Sequence, residues 1–353
     1  MAARKIRNTP LFVKLLIIFF AAAFLVAGII AYNYYLRIFR PNVTIEPDQT
    51  AIIYIPSGAD FAKVLNILDE KNILINSQSF EWVADKKNYP NQIKPGKYVI
   101  EPGMNNNTLI NKLRSGKQTP VHLIFNNIRT KEQLAGRVGA QIEADSIDIM
   151  GLMNNNEFLD DLGFNTSNIL AMFLPNTYEF FWNTSAEAFM KRMHREYGIF
   201  WNDDRLAKAG RIELSPVEVS VLASIVQAET SKRDEMARIA GVYINRLRRG
   251  MLLQADPTVV YAWGNFSIRR VLYKHLQINS PYNTYMYPGL PPGPINLPEP
   301  YTIDSVLNYE THNYLFFSAK EDFSGYHVFA RTHSQHIVNA RRYHNALNKK
   351  QIR

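Results

Sequence analysis

The 353-residue chain has no cysteine, so neither a disulfide framework, a thiolate nucleophile nor a Cys-ligated zinc site is open to it. Acidic residues are missing from both ends. Residues 1–40 carry Arg4, Lys5, Arg7, Lys14, Arg37 and Arg40 with no Asp or Glu, and residues 341–353 carry Arg341, Arg342, Lys349, Lys350 and Arg353 with none. Net charge is +9, so the stretch between those ends stands at −2. A protein that grips nucleic acid carries its basic stripe on the folded body, and this chain does not, so no nucleic-acid partner is expected. No repeat of fixed period appears, which excludes solenoid architectures. There is also no His-Glu-x-x-His pattern. His327, His333 and His336 lie close in sequence but without a carboxylate in the same segment to complete a metal set, so no metal or other cofactor is expected.

What is present begins with an uncharged run, Leu15 to Tyr32, continued through Asn33, Tyr34, Tyr35 and Leu36. It is long enough to cross roughly 30 Å of hydrocarbon as a helix. No small-residue cleavage site follows it, which favours an anchor over a removed signal. The expectation is a transmembrane helix over 15–36 in the cytoplasmic (inner) membrane, residues 1–14 inside on the strength of Arg4, Lys5 and Arg7, and the rest outside. Residues 37–50, with Pro41 and Pro47, read as a linker.

Beyond it the pattern predicts a small α/β module over 51–117, with strands at 51–55 and 98–100 and helices carrying Val64 and Leu68 and Leu109 and Leu113. From 118 to 344 helices are expected near 130–142, 185–200, 216–229 and 234–249, mixed irregularly with short strands, so the fold class is α+β. Residues 345–353 read as a basic tail.

The chemistry concentrates in Leu222-Ala-Ser-Ile-Val-Gln-Ala-Glu229-Thr230. Ser215-Pro216-x-Glu218 supplies a capping box with proline at the first helical position. Leu222, Ile225, Val226 and Glu229 then recur on one face of an expected amphipathic helix. A carboxylic acid set among aliphatic side chains is desolvated, its pKa rises, and it becomes suited to general-acid work near neutral pH. Gln227 two residues earlier exchanges no proton, which leaves Glu229 as the acid of this stretch. Asp256-Pro257 has the form of a helix N-cap and first-turn proline, so Asp256 is expected to cap rather than to act. Pro288 to Pro298 forms a stiff loop fit to wall a cleft.

This order of segments resembles the MltG (YceG-like) family of endolytic murein transglycosylases. The likeness is carried by Ala223-Ser-Ile-Val-x-x-Glu229, Leu253-Gln254-x-Asp256-Pro-Thr258, Ser280-Pro-Tyr282-Asn283-Thr-Tyr285 and Gly289-Leu-Pro-Pro-Gly-Pro-Ile295, with Phe173 to Tyr178 upstream and Gly325 to Phe329 downstream. The resemblance implies a LysM-like module over 51–117 and a YceG-like catalytic domain over 118–344. It also implies that Glu229 protonates the bond between N-acetylmuramic acid and N-acetylglucosamine inside a strand, leaving 1,6-anhydromuramoyl ends, with Thr230, Gln254, Tyr282, Asn283 and Tyr285 around the sugar. Partners on that reading are peptidoglycan strands and membrane-bound synthases, and the role is to end nascent strands. A water-using muramidase and a non-catalytic glycan-binding scaffold stand as alternatives, the first favoured by a second carboxylate facing Glu229.

Overall fold

Helix α1 (Leu11–Phe39) is longer than the apolar run that defines it. In the computed structural model, which describes residues 10–349, it continues through Asn33 and Arg37 because Tyr34 and the last turns find partners in the module that follows. It is the helix among the described residues long and apolar enough to cross a membrane, and none of its apolar span is buried against the protein. Arg4, Lys5, Arg7 and the end of the basic tail lie outside the described residues.

The chain divides into two compact units, one of residues 1–121 with 181–183, the other of residues 122–180 and 184–353. After α1 the first unit runs β1 (Ala51–Ile55), α2 (Phe61–Glu70), α3 (Ser77–Lys86), β2 (Gly96–Ile100) and α4 (Asn106–Ser115). β1 and β2 pair antiparallel, Ala51 opposite Ile100 and Ile55 opposite Gly96. Their inward residues, Ile53, Ile55, Tyr98 and Ile100, are fully buried with Val64, Leu68, Phe80, Leu109 and Leu113 from the helices. The period-2 and helical periods of the sequence thus close one small core. Helix α3 was not expected from the sequence. Nor does the segment read as a linker behave as one, because Asn42 and Val43 are buried and Pro41 and Val43 form antiparallel bridges to Asn105 and Leu74.

The second unit contains β3 (Val121–Ile124), which starts at the boundary, α5 (Lys131–Gly139), α6 (Ser146–Met153), α7 (Asn156–Asp160), β4 (Thr177–Phe180), α8 (Ala186–Phe200), α9 (Asp203–Arg211), α10 (Pro216–Glu229), α11 (Arg233–Arg248), α12 (Asp256–Trp263), α13 (Pro300–Leu307), β5 (Phe316–Ala319), β6 (His327–Ala330) and α14 (His333–Lys349). Short two-stranded sheets, β3 with β4 and β5 with β6, stand among many helices, which is the mixed α+β class expected.

α10 is the axis of this unit. The capping box forms as read, with Glu218 N donating to Ser215 Oγ at 3.3 Å and Ser215 N donating to Glu218 Oε2 at 2.8 Å. The expected amphipathic stripe is corrected, since every residue from Val219 to Val226 is buried. The helix is enclosed because α11, α12, α13 and α9 pack around it, and its buried serines do not orphan their hydroxyls: Ser220 Oγ donates to Pro216 O at 3.0 Å and Ser224 Oγ to Val221 O at 2.7 Å. Close approach is made possible by small residues. A side chain at Gly241 would place its first carbon 2.4 Å from Glu310 O.

Candidate active site

Glu229 is the last residue of α10, where the buried stretch gives way to exposed Ala228 and a part-exposed end. The residue keeps part of its surface open while its carboxyl is enclosed, and burial raises its pKa from 4.5 to about 7. Three neighbours modulate that. Tyr243 of α11 donates its hydroxyl to Glu229 Oε1 at 2.7 Å and favours the ionised form; the charge of Asp256 opposes it; the charge of Arg246 favours it again. Position on the helix acts in the same sense as burial, because the carboxyl end of a helix carries partial negative charge.

Tyr243 and Arg246 stand one turn apart on α11, and both are almost wholly buried. The Tyr243 ring meets Phe317 of β5 edge to face at 5.8 Å. Arg246 donates to Leu315 O at 2.7 Å and to Leu253 O at 2.8 Å, and lies over the Phe316 ring at 5.0 Å. It therefore ties the β5 strand and the Leu253 segment to the same point. Sequence reasoning passed over both residues. The available signal was a Tyr-x-x-Arg pair on the face of α11 that also carries Ile239 and Val242, a setting in which a charged residue needs partners.

Asp256 is where expectation and structure part. The residue before it, Ala255, occupies the N-cap of α12 without a side-chain bond, and Asp256 is the first helical residue. Its Oδ1 instead accepts from Tyr285 OH at 2.6 Å. The two segments are laced together beneath that contact, since Gln254 N donates to Thr284 O at 3.0 Å, Ala255 N to Thr284 Oγ1 at 3.0 Å, and the Thr258 and Thr284 hydroxyls meet at 2.9 Å. Asp256 is thus a second carboxylate in the neighbourhood of Glu229, and the capping role is corrected. Burial and the Asp256 contact push the Tyr285 hydroxyl well above the usual phenol range.

The remaining expected residues separate into those that are exposed or half-buried and those that are buried. Gln254 is exposed, with its Oε1 3.5 Å from Arg246 Nη1, and holds a left-handed backbone at φ 51°. Tyr282 is half-buried against Tyr261, ring centroids 4.7 Å apart. Thr230 is buried, and its hydroxyl accepts from Lys232 N at 3.0 Å, fixing the turn after α10. Asn283 is wholly buried: its amide donates to Leu276 O and Ile278 O, both at 2.8 Å, and its Oδ1 accepts from Tyr285 N at 3.0 Å. Its carboxamide shapes the loop that presents Tyr285 and is not free for a sugar.

Gln227 faces away from Glu229, two residues earlier on the helix. It donates to Leu297 O at 3.2 Å and to Asn296 Oδ1 at 3.3 Å, and accepts from Glu299 N at 2.7 Å and Thr302 Oγ1 at 3.1 Å. Ser224 adds a bond from Ile295 N at 3.0 Å. The proline-rich segment therefore runs along α10 and holds it. Gly293 fits because a side chain there would fall 1.9 Å from Ser167 O.

Of the histidines, His327 Nδ1 is 3.0 Å from Glu235 Oε2, clasping β6 to α11, and His336 stacks on Phe316. No group of three or more His, Asp or Glu suited to a metal ion occurs among the described residues. A hollow of about 560 Å³ lies at the opposite end of α10, lined by Ser215, Glu218, Leu247 and Leu290, away from Glu229 and Asp256.

A model of the YceG-like family matches residues 53–342. An endolytic murein transglycosylase of Bacillus subtilis is 28% identical over 324 residues, covering 87% of this chain and 89% of that protein. One from Streptococcus pneumoniae is 25% identical over 334 residues, covering 85% of this chain and 59% of that longer protein. The crystal structure of a YceG-like protein from Listeria monocytogenes aligns with a TM-score of 0.56 and 27% identity, over 82% of this chain and 98% of that one.

Proposed function

The chain belongs to the YceG-like family, and from that premise we propose that it is a peptidoglycan lytic transglycosylase whose acid and base are both Glu229. The finer reading is cleavage of the β-1,4 bond from N-acetylmuramic acid to N-acetylglucosamine within strands, beside membrane-bound synthases, ending the growth of new strands. The observation that carries it is the Glu229 carboxyl, held protonated up to about pH 7 by burial and hydrogen-bonded to Tyr243.

In the first half of the reaction Glu229 gives its proton to the bridging oxygen as the bond to C1 breaks, and an oxocarbenium-like sugar develops. The carboxylate so formed is stabilised by the Tyr243 hydroxyl and the Arg246 charge, while the negative Asp256 favours the cationic sugar. Glu229 then takes the proton from the muramoyl C6 hydroxyl, whose oxygen bonds to C1 and closes the anhydro ring. Proton count is restored and no water is used. Gln254, Tyr282 and Tyr285 supply the polar and aromatic surface for the sugar, and Thr230 and Asn283 hold the turns around it.

The position of Asp256 favours a second reading, hydrolysis, in which that carboxylate activates water. Digestion of long glycan in water enriched with heavy oxygen separates the two: unlabelled anhydro ends are expected, and label at new reducing ends overturns transglycosylation. Release of disaccharides alone from the outset overturns cleavage within strands.

The LysM-like reading of the first unit is supported by two helices between paired strands β1 and β2. We place the N-terminus in the cytoplasm and both units outside the inner membrane; a reporter fused after Pro47 is then exported, and a mature chain lacking residues 1–36 would overturn the anchor.

A further inference from the structure

The exit of α1 is fastened to α3 and α4 by a buried network. Asn106 Nδ2 donates to Arg37 O at 2.8 Å and to Ser79 Oγ at 3.0 Å, and Asn42 Nδ2 donates to Asn106 Oδ1 at 2.7 Å and to Asn76 O at 3.0 Å. Asn42 and Asn106 are 4% and 1% exposed. One turn earlier on α1, the Tyr34 ring stacks on Trp82 with centroids 5.1 Å apart and planes 9° from parallel, and the Arg37 guanidinium covers the same indole at 5.6 Å. Buried amides with every bond made specify a single arrangement, so this joint is a fixed one.

The joint also gives direction. Asn106 ties Ser79 to the level of Arg37, whereas Trp82 meets Tyr34; one turn onward along α3 corresponds to one turn back along α1. α3 therefore descends beside α1 toward the apolar span. Hydrocarbon of roughly 30 Å takes about 20 helical residues at 1.5 Å each. Counted from Leu15, the first residue past Lys14, a span of about 18 residues, within the range that crosses a bilayer, ends near Tyr32. The later turns, with Tyr32, Tyr34, Tyr35 and Arg37, then stand at headgroup level, where Tyr and Trp collect. Trp82 is at that same level, and Lys86 and Lys87 at the end of α3 lie about one further turn down.

We propose that the first unit is seated on the bilayer that α1 enters, with Trp82 and the Lys86–Lys87 corner in its interfacial layer. The proposal rests on the reading of α1 as a membrane anchor. Trp82 supplies the amphipathic ring and exposed Lys86 the snorkelling cation, while Lys87 donates to Asn111 Oδ1 at 2.8 Å. Glu81 and Asp85 share the exposed side of α3, and Asp85 pairs with Lys86 at 3.4 Å, so the contact is with the interface as such and not selective for anionic lipid.

The absence of cysteine makes the test clean. The full chain with Lys86→Cys, or as control with Lys71→Cys after the end of α2 that Ser77 ties to the start of α3 through Asp69 at 2.7 Å, is labelled with an environment-sensitive fluorophore and reconstituted in phosphatidylcholine vesicles containing a lipid with a nitroxide near the headgroup. Quenching at position 86 at least about threefold that at position 71 is expected from interfacial placement. Equal, weak quenching in a chain that resists alkaline carbonate overturns the seating and leaves the anchor standing. Release of the chain by carbonate overturns the anchor and the seating with it.

Discussion

Helix α10 carries a glutamate near each end, and the fold treats the two in opposite ways. Glu218 is exposed at the amino end, where its carboxylate accepts a backbone N–H of Ser215 and meets the positive end of the helix dipole. Glu229 is at the carboxyl end, where the dipole is negative and burial raises its pKa to about 7. The same side chain on one helix is a structural anion at one end and a held proton at the other. Identity of the residue therefore says little until its surroundings are known.

The largest effect should come from Glu229→Gln. Glycan cleavage falls by a factor of about a thousand or more, the range over which a positioned acid and base act. Stability moves the other way. Folded Glu229 keeps its proton up to about pH 7 against 4.5 for the free group, so between those values the native state binds the extra proton and stability declines as pH rises. The Gln variant should match the parent below about pH 4 and exceed it above about pH 7, by up to roughly 3 kcal/mol, in denaturant titrations. A variant that is less stable at alkaline pH would break the contrast between the two ends.

Next in size is Asp256→Asn. Losing the negative neighbour lowers the Glu229 pKa, so the alkaline fall in kcat/KM should shift to lower pH with activity down about tenfold. Anhydro products persisting in this variant assign Asp256 to electrostatics; complete loss of turnover makes it a base. Tyr243→Phe should act in the reverse direction. Without its hydroxyl the ionised form loses a donor, the alkaline limb moves to higher pH, and kcat falls by less than about tenfold. The smallest effect is expected at the other end, where Ser215→Ala costs about 1 kcal/mol in thermal or denaturant unfolding and leaves kcat unchanged.

How much of this could be read from the chain follows the range of the interactions. Ser215-Pro216-x-Glu218 announced the start of α10 because a capping box is local, and Glu229 stood out because its neighbours at helical spacing are aliphatic. The strands at 51–55 and 98–100 were legible for the same reason. Asp256 was misread because Asp-Pro is also a local signature of a cap, while the partner that claims its carboxylate, Tyr285, is 29 residues away. Tyr243 and Arg246 acquire meaning only when α11 is laid against α10. Helix α3 was missed because Ser77 to Lys86 is only ten residues long and buries just Phe80, Val83 and Ala84, and its place is secured by α1 and α4. The 37–50 segment looked like a tether through its prolines, and Asn42 is buried because amides far along the chain meet it.

Gln254 holds a left-handed backbone, a state that costs an ordinary residue about 1 kcal/mol and glycine almost nothing. A lineage selected for durability alone would drift to glycine there. Glutamine at that corner is a standing tax on the fold, and a Gln254→Gly variant should therefore unfold later while losing whatever its exposed amide does beside Arg246.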